Sequence, residues 1–359
     1  MDANKKITDN FNRAQDRLVL QSSDLSLETI AAMVNKGSID ASPVFQRRER
    51  WSPERQSALI ESFLLNVPVP PVYLSEDDFG TYSVIDGKQR ITAIREFMDN
   101  ELALTSLEAF PEISLLRFRE LPRALQNALQ VRPYLRVVTL LKQSDPVLKY
   151  EVFTRLNRGG EPLNAQEIRN VAFRGPLNDL IYKLGDDDFL KRQLKIRNEK
   201  SPPFREMADA EYVLRFFALQ AVWRKFAGSF RRTMDDFMSV NQNAEKRDIE
   251  RFRRQFQRSI RACEDFWGSN AFMRCEHGTW RQQMLAGMYD SQMLAVAELS
   301  DTQIATLRQS SKEIVRRTRV LFAQDDEFEE SVRRGTNTPS KIRYRVQKMR
   351  DLLEAVAGE

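Results

Sequence analysis

Residues 84–97 read VIDGKQRITAIREF. An apolar pair, Val84–Ile85, runs into Asp86–Gly87. A cation, an amide and a second cation follow as Lys88–Gln89–Arg90, and then an amphipathic segment. The pattern predicts a strand end, a tight turn and a helix over about 89–99. Gly87 suits a sharp reversal because it tolerates backbone angles other residues avoid. A helix start flanked by cations attracts anions, since its first amides and its dipole both point at the turn. Lys88 and Arg90 would add charge-assisted donors, and arginine can grip a phosphate through two bonds. Asp86 is the odd member: beside phosphates it repels them unless it holds a divalent cation or orients a water. The plainer alternative is a hairpin end in which Asp86 caps the helix and pairs with Arg90. The turn alone does not choose between the two.

Working outward, PPVYLSE and TYSVID read as two strands joined by the polar turn DDFG, a hairpin signal. LSLETIAAMV (25–34) reads as a helix capped by Ser26, and SPERQSALIESFLLN as one capped by Ser52 with Pro53 at its first position. YLRVVTLL (134–141) is β-branched at its centre and reads as a strand. SDPVLKYEVFTRLNRGG and NAQEIRNVAF give two further helices, the second with the Asn164/Glu167 spacing of a capping box. Past GDDDFLKRQLKIRNEKSPP (185–203) the apolar stripes become helical throughout. They run through Tyr212, Val213, Phe216, Phe217 and Leu219, then Ile249, Phe252, Phe256, Ile260 and Cys263, then Met284, Leu285 and Met288, then Ile314, Val315 and Leu321. The expectation is an α+β protein: a domain at 1–185 with a small mixed sheet, and an all-α region at 186–359.

The chain has 359 residues, 42% of them apolar, enough for two cored domains. A net charge of +5 permits a polyanionic partner without requiring one. No apolar run is long enough to span a bilayer, and the first residues lack a signal-peptide core, so a cytoplasmic protein without membrane contact is expected. Two cysteines, Cys263 and Cys275, are too few for a disulfide framework. The single histidine, His277, is too little for a His-Asn-His nuclease or a two-histidine zinc site, and a partly buried structural histidine in a helical domain is expected.

Two more junctions repeat the theme of the Asp86 turn. SPVFQRRERWSPE (42–54) places Gln46–Arg47 ahead of a capped helix, with Trp51 to stack or pack, and FTRLNRGGEPLNAQEIRN (153–170) carries Arg155, Asn157, Gln166 and Arg169 around a helix–turn–helix junction. Together P-x-F-Q-R followed by W, then D-G-x-Q-R, then R-L-N-x-G-G-x-x-L-x-x-Q-E-x-R resemble the N-terminal domain family of GmrSD-type restriction endonucleases over roughly residues 20–180. The resemblance implies a ParB/sulfiredoxin-like fold, a role in prokaryotic defence against phage and foreign DNA, and binding and hydrolysis of a nucleoside triphosphate coupled to DNA cleavage. Carried over, it gives the nucleotide step to Asp86, Gly87, Gln89 and Arg90, with Gln46, Arg47, Arg155 and Asn157 as neighbours in the pocket; the chemistry of the turn adds Lys88 to the expected catalytic set and Mg²⁺ at Asp86. Position 88 is Lys where the commoner family form has Gln. One histidine is too few for the separate His-Asn-His domain of many relatives, so any nuclease activity would come from the N-terminal domain, from another subunit such as a partner nuclease or defence-system subunit, or be absent, and a homo-oligomer is compatible.

Two competing readings share the same loop. Asp77 or Asp78 with Asp86–Gly87–Lys88 imitates the carboxylates and lysine of a metal-dependent nuclease, and a non-enzymatic, nucleotide-sensing DNA-binding regulator needs no catalysis. All three draw on the basic helix KRDIERFRRQFQRSIRA (246–262), where Arg251, Arg254 and Arg258 are the expected DNA contacts. RRGTNTPSKIRYR (333–345) is a second basic candidate.

Overall fold

The computed structural model describes residues 18–41, 51–144 and 164–358, with Phe11, Lys149, residues 151–152 and residues 155–156. These form two compact units, divided between Ala172 and Phe173.

The first unit is a five-stranded mixed sheet with helices. Its strands are β1 (Leu20–Ser26), β2 (Ile39–Asp40), β3 (Val72–Asp78), β4 (Thr81–Asp86) and β5 (Tyr134–Leu140), in the spatial order β1-β5-β3-β4-β2. The expected hairpin is β3–β4, antiparallel, while β3 runs parallel to β5 and β2 parallel to β4. Helices α1 (Leu27–Asn35), α2 (Pro53–Leu64), α3 (Lys88–Met98) and α4 (Arg123–Val131) surround this sheet. Ile30, Ile60, Phe63, Ile91, Ile94, Phe97 and Leu129 form one core with Val72, Leu74, Val84, Leu135 and Val137 from the strands. Helix α5 (Ala165–Ala172) packs on β4.

Local signals match the elements they were read from. The Ser26 hydroxyl accepts the Thr29 amide, and at α5 the Asn164 and Glu167 side chains cap each other's backbone amides reciprocally. There are exceptions: Ser52 stands at the N-cap of α2 but its side chain makes no capping bond, most of the helix expected over SDPVLKYEVFTRLNRGG lies outside the described residues, and the edge strand β1 has no strand signal of its own. LQSSDLS in β1 is mostly exposed and lacks apolar alternation, and it becomes a strand through seven paired positions against β5. Two buried polar groups of α2 hold the long connection after α3. Ser57 Oγ accepts the Thr105 amide at 2.9 Å, and Glu61 accepts the Ala109 amide at 2.7 Å.

The second unit is largely helical. It comprises α6 (Pro176–Gly185), α7 (Asp188–Gln193), α8 (Pro202–Arg205), α9 (Ala208–Val222), α10 (Phe230–Asn241), α11 (Lys246–Trp267), α12 (Ala286–Ala297), α13 (Asp301–Gln309), α14 (Ser311–Gln324), α15 (Asp326–Arg333) and α16 (Pro339–Ala357). Because α6 packs on α9 and α11, it belongs here, although it lies ahead of the boundary expected at 185. The region is not all-α. Met273–Glu276 (β6) and Thr279–Met284 (β7) pair as a two-stranded hairpin turned by His277 and Gly278, both with positive φ. His277 is therefore an exposed turn residue, not a partly buried helical one, and Met284 ends a strand instead of entering a helical stripe.

Helix α12 is central, with every residue from Gly287 to Val296 buried. Its polar groups must find protein partners, because an unpaired buried charge is far costlier than a paired one. Asp290, 1% exposed, accepts two bonds from Arg215 at 2.6 and 2.7 Å and one from Arg345 at 2.5 Å. Arg345, fully buried, also donates to the Ser331 carbonyl at 2.9 Å, and Arg215 lies 3.6 Å from the centre of the Phe230 ring. One carboxylate thus ties α9 and α16 to α12. Asp290→Ala, which strands two guanidinium groups, should destabilise the second unit by about 3–5 kcal/mol, read as a lowered urea midpoint.

Candidate functional site at the β4–α3 turn

The hairpin register places Asp86, the last residue of β4, opposite Tyr73 at the start of β3. One residue later the chain must leave the sheet as a helix. Gly87 makes the reversal with φ 95° and ψ 14°, a left-handed conformation that costs an L side chain about 1–2 kcal/mol. Space is equally restrictive: a Cβ on Gly87 would stand 2.6 Å from Val72 Cγ2 and 3.3 Å from Arg90 Cζ. The close approach that requires glycine is therefore to the protein's own β3. Gly87, not Asp86, occupies the N-cap position of α3, and having no side chain it makes no capping bond.

Arg90 is bonded on three sides. Its Nη2 donates to Asp86 Oδ2 at 2.5 Å, and its Nη1 donates to the Pro70 and Pro71 carbonyls at 2.5 and 3.0 Å. The guanidinium is 13% exposed and the Asp86 carboxylate 37%. This is the Asp86–Arg90 pairing of the plainer alternative, extended into a clamp that joins the end of β4, the first turn of α3 and the entry to β3. Gln89 serves another junction: its Oε1 accepts the Trp51 amide at 3.0 Å, which ties the chain just ahead of α2 to the turn. Trp51 itself packs against the core, with Arg55 5.6 Å from its ring centre. Lys88 sits half-buried at the first position of α3.

Gln46, Arg47 and Asn157 lie outside the described residues. Arg155 is exposed and pairs with Glu151 one helical turn away at 3.4 Å, an arrangement worth little in water. Helix α5, whose Gln166, Glu167 and Arg169 the sequence already marked, carries them with Asn170 as a buried polar set, and the helix packs on β4. Gln166, Glu167, Arg169 and Asn170 are each no more than 1% exposed, with Gln166 donating to Asn170 and accepting from Arg169, both at 3.3 Å. Their signal in the sequence is the polar run QE-x-RN at positions where an amphipathic helix would turn apolar residues inward.

A metal shared between Asp86 and Asp77 or Asp78 is excluded by the register. Asp78 pairs with Thr81 at the far end of the hairpin, four to five residues along β3 from Tyr73, roughly 13–17 Å away. The distant carboxylates have partners of their own. Ser83 Oγ donates to Asp77 at 3.0 Å, and Lys142 Nζ donates to Asp78 at 2.7 Å. Nearby Lys149 donates to the Glu76 carbonyl at 3.2 Å, and burial pushes its ammonium below the usual lysine range against the opposing pull of Asp77 and Glu76. Among the described residues no three His, Cys, Asp or Glu side chains converge as a metal site.

In the second unit the expected DNA contacts separate by environment. Arg251 pairs with Asp248 at 2.5 Å, and half-buried Arg258 donates to Asp301 at 2.7 Å and to the Leu299 carbonyl. Arg254 is exposed.

Residues 30–174 match the family described as GmrSD restriction endonuclease, N-terminal domain. The matched stretch contains the Asp86–Arg90 turn and α5. No curated protein and no solved structure matches the chain. No described helix is long and apolar enough to cross a membrane.

Gly87→Ala should destabilise the first unit by about 2 kcal/mol or more, the left-handed backbone and the Val72 overlap adding. Thermal unfolding followed by circular dichroism checks it, and an unchanged transition would mean the turn relaxes without cost.

Proposed function

We propose, from the GmrSD restriction endonuclease N-terminal domain at residues 30–174, that this protein acts in prokaryotic defence by binding a nucleoside triphosphate at the β4–α3 turn and coupling it to action on foreign DNA in the cytoplasm. The observation that carries the reading is the start of α3. Its N-cap residue is Gly87, which has no side chain, and the helix begins at the cation Lys88 directly after a half-exposed carboxylate, Asp86.

Phosphate oxygens accept hydrogen bonds from helix-start amides, and the Lys88 ammonium adds a point charge. Asp86 is the one carboxylate of the turn, with Oδ2 engaged by Arg90. Mg²⁺ in nucleotide sites is commonly held by one or two carboxylates plus the phosphates, so a single aspartate fits such an ion. Mg²⁺ would supply neutralisation of the phosphate charge. Arg90 acts as a positioning residue: anchored by its bonds to the Pro70 and Pro71 carbonyls, it donates to Asp86 and fixes where the carboxylate points. Gln89, by accepting the Trp51 amide, anchors the chain just ahead of α2 beside the turn. With His277 exposed in a hairpin turn, strand cleavage of the His-Asn-His type is assigned to a partner nuclease subunit.

A second reading, nucleotide sensing without turnover, is favoured by the closure of the Asp86–Arg90 pair, which leaves little of the guanidinium for a transition state. Asp86→Asn distinguishes the two. It keeps the shape of the side chain and removes the charge, so triphosphate affinity measured by calorimetry without metal should hold or rise. Phosphate release should fall by on the order of 100-fold if the charge acts in the transition state. Wild-type protein that binds triphosphate but never releases phosphate identifies a sensor. Wild-type protein that binds none of the four ribonucleoside triphosphates ends the reading.

A further inference from the structure

Helix α11 buries Phe252, Phe256, Ile260 and Cys263 on one side. On another side Arg254, Arg258 and Arg261 follow at i, i+4 and i+7, and with Arg308 of α13 they line a concave pocket of about 400 Å³. Gln257, Asp301 and Ile304 complete it. Ligand pockets commonly fall between ~300 and 1,000 Å³.

The charges of this pocket do not cancel. Arg258 is held by Asp301 and the Leu299 carbonyl, and Arg308 by Asp265 at 2.8 Å. Arg254 and Arg261 have no hydrogen-bond or ion-pair partner among the described residues. Like charges at i, i+4 destabilise a helix, so the Arg254–Arg258 neighbourhood is unfavourable on its own. The ordinary explanation of such residues is a solvated helix face. Elsewhere on α11, however, arginines find carboxylates within a turn, Arg251 with Asp248 and Arg253 with Glu250. In the pocket, the positions a turn away from Arg254 and Arg261 include Gln257 and Arg258, and the carboxylates near Arg261, Glu264 and Asp265, are taken by Arg192 and Arg308.

Extent decides the kind of anion. Arg247, Arg254 and Arg261 recur every seven residues, so they share a face of α11 at steps of ~10.5 Å. Arg247 is exposed and likewise lacks a partner among the described residues. The unneutralised charge thus continues past the pocket along the helix, which suits an extended polyanion better than a compact one.

We propose that Arg254 and Arg261, with Arg247 extending the row, form a phosphodiester-binding site for a nucleic-acid backbone. That the nucleic acid is DNA rests on the defence reading above; the site itself does not depend on the β4–α3 turn. This row keeps Arg254 of the expected set and adds Arg261, while Arg258 is held by Asp301 and the Leu299 carbonyl and Arg251 pairs with Asp248 on its own helix.

The test is fluorescence anisotropy of the full chain with a short labelled DNA duplex across a salt series. Arg254→Ala/Arg261→Ala should weaken binding about tenfold or more and lower the slope of log affinity against log salt by about two, since each phosphate no longer neutralised accounts for about 0.9. Arg232→Ala/Arg316→Ala removes equal charge from exposed arginines paired on their own helices and should have a clearly smaller effect. Equal losses from the two double variants, an unchanged slope in a folded Arg254/Arg261 variant, or no duplex binding by wild type would each overturn the site. Inorganic triphosphate that binds the pocket while the duplex does not would overturn the polyanion in favour of a compact anion. Triphosphate affinity at the β4–α3 turn, measured by calorimetry on the same double variant, should stay at the wild-type value. Its loss together with duplex binding would overturn a separate site, whereas its absence in wild type with duplex binding intact removes only the nucleotide reading.

Discussion

At the end of β4 the backbone has a single residue in which to turn from strand to helix while passing beside Val72. Only glycine satisfies both demands, because the turn needs a positive φ and the neighbouring strand leaves no room for a Cβ. Everything at the candidate site follows from that reversal. It aims the start of α3 at the end of the sheet, sets Arg90 one turn behind Asp86, and lets the guanidinium reach the Pro70 and Pro71 carbonyls at the entry to β3. The same bonds that stabilise the turn orient the Asp86 carboxylate, so the residues of the proposed site are also those that hold the turn together.

The second unit solves a different problem. A helix buried on every side cannot leave Asp290 facing water, and the cost of burying it is offset by two arginines from separate helices. Removing the acid alone would be worse than never having had it, since two cations would remain. The close packing of α12 extends to the backbone: a Cβ on Gly287 would stand 2.7 Å from the Val332 Cα, so α12 and α15 meet without side chains between them.

Arginines in this chain fall into two groups that look alike in one-letter code. Arg90, Arg215, Arg258 and Arg345 are bonded by carboxylates or carbonyls and act as parts of the frame. Arg247, Arg254 and Arg261 carry charge that nothing in the described protein neutralises. A basic helix read by spacing alone counts both groups as contacts, whereas the partners supplied by α13 and the Leu299 carbonyl divide them.

Much of the first unit was legible before its structure. The Asp86–Gly87 turn, the hairpin, the Asn164/Glu167 capping box and the family motifs all depend on residues within a few positions of one another, and local sequence determines such features directly. Helical stripes such as Phe252, Phe256 and Ile260 were legible for the same reason, because periodicity is written along the chain. Tertiary structure decided the rest. β1 is a strand because β5 offers it a partner, the β6–β7 hairpin interrupts what read as continuous helix, and the register, not the spacing DD…DGK, sets Asp77 and Asp78 far from Asp86. Which arginine is free and which is held depends on carboxylates and carbonyls as far as 112 positions away in the sequence. Hydrogen bonds and ion pairs of that reach exist only after the chain has folded, and no local pattern encodes them.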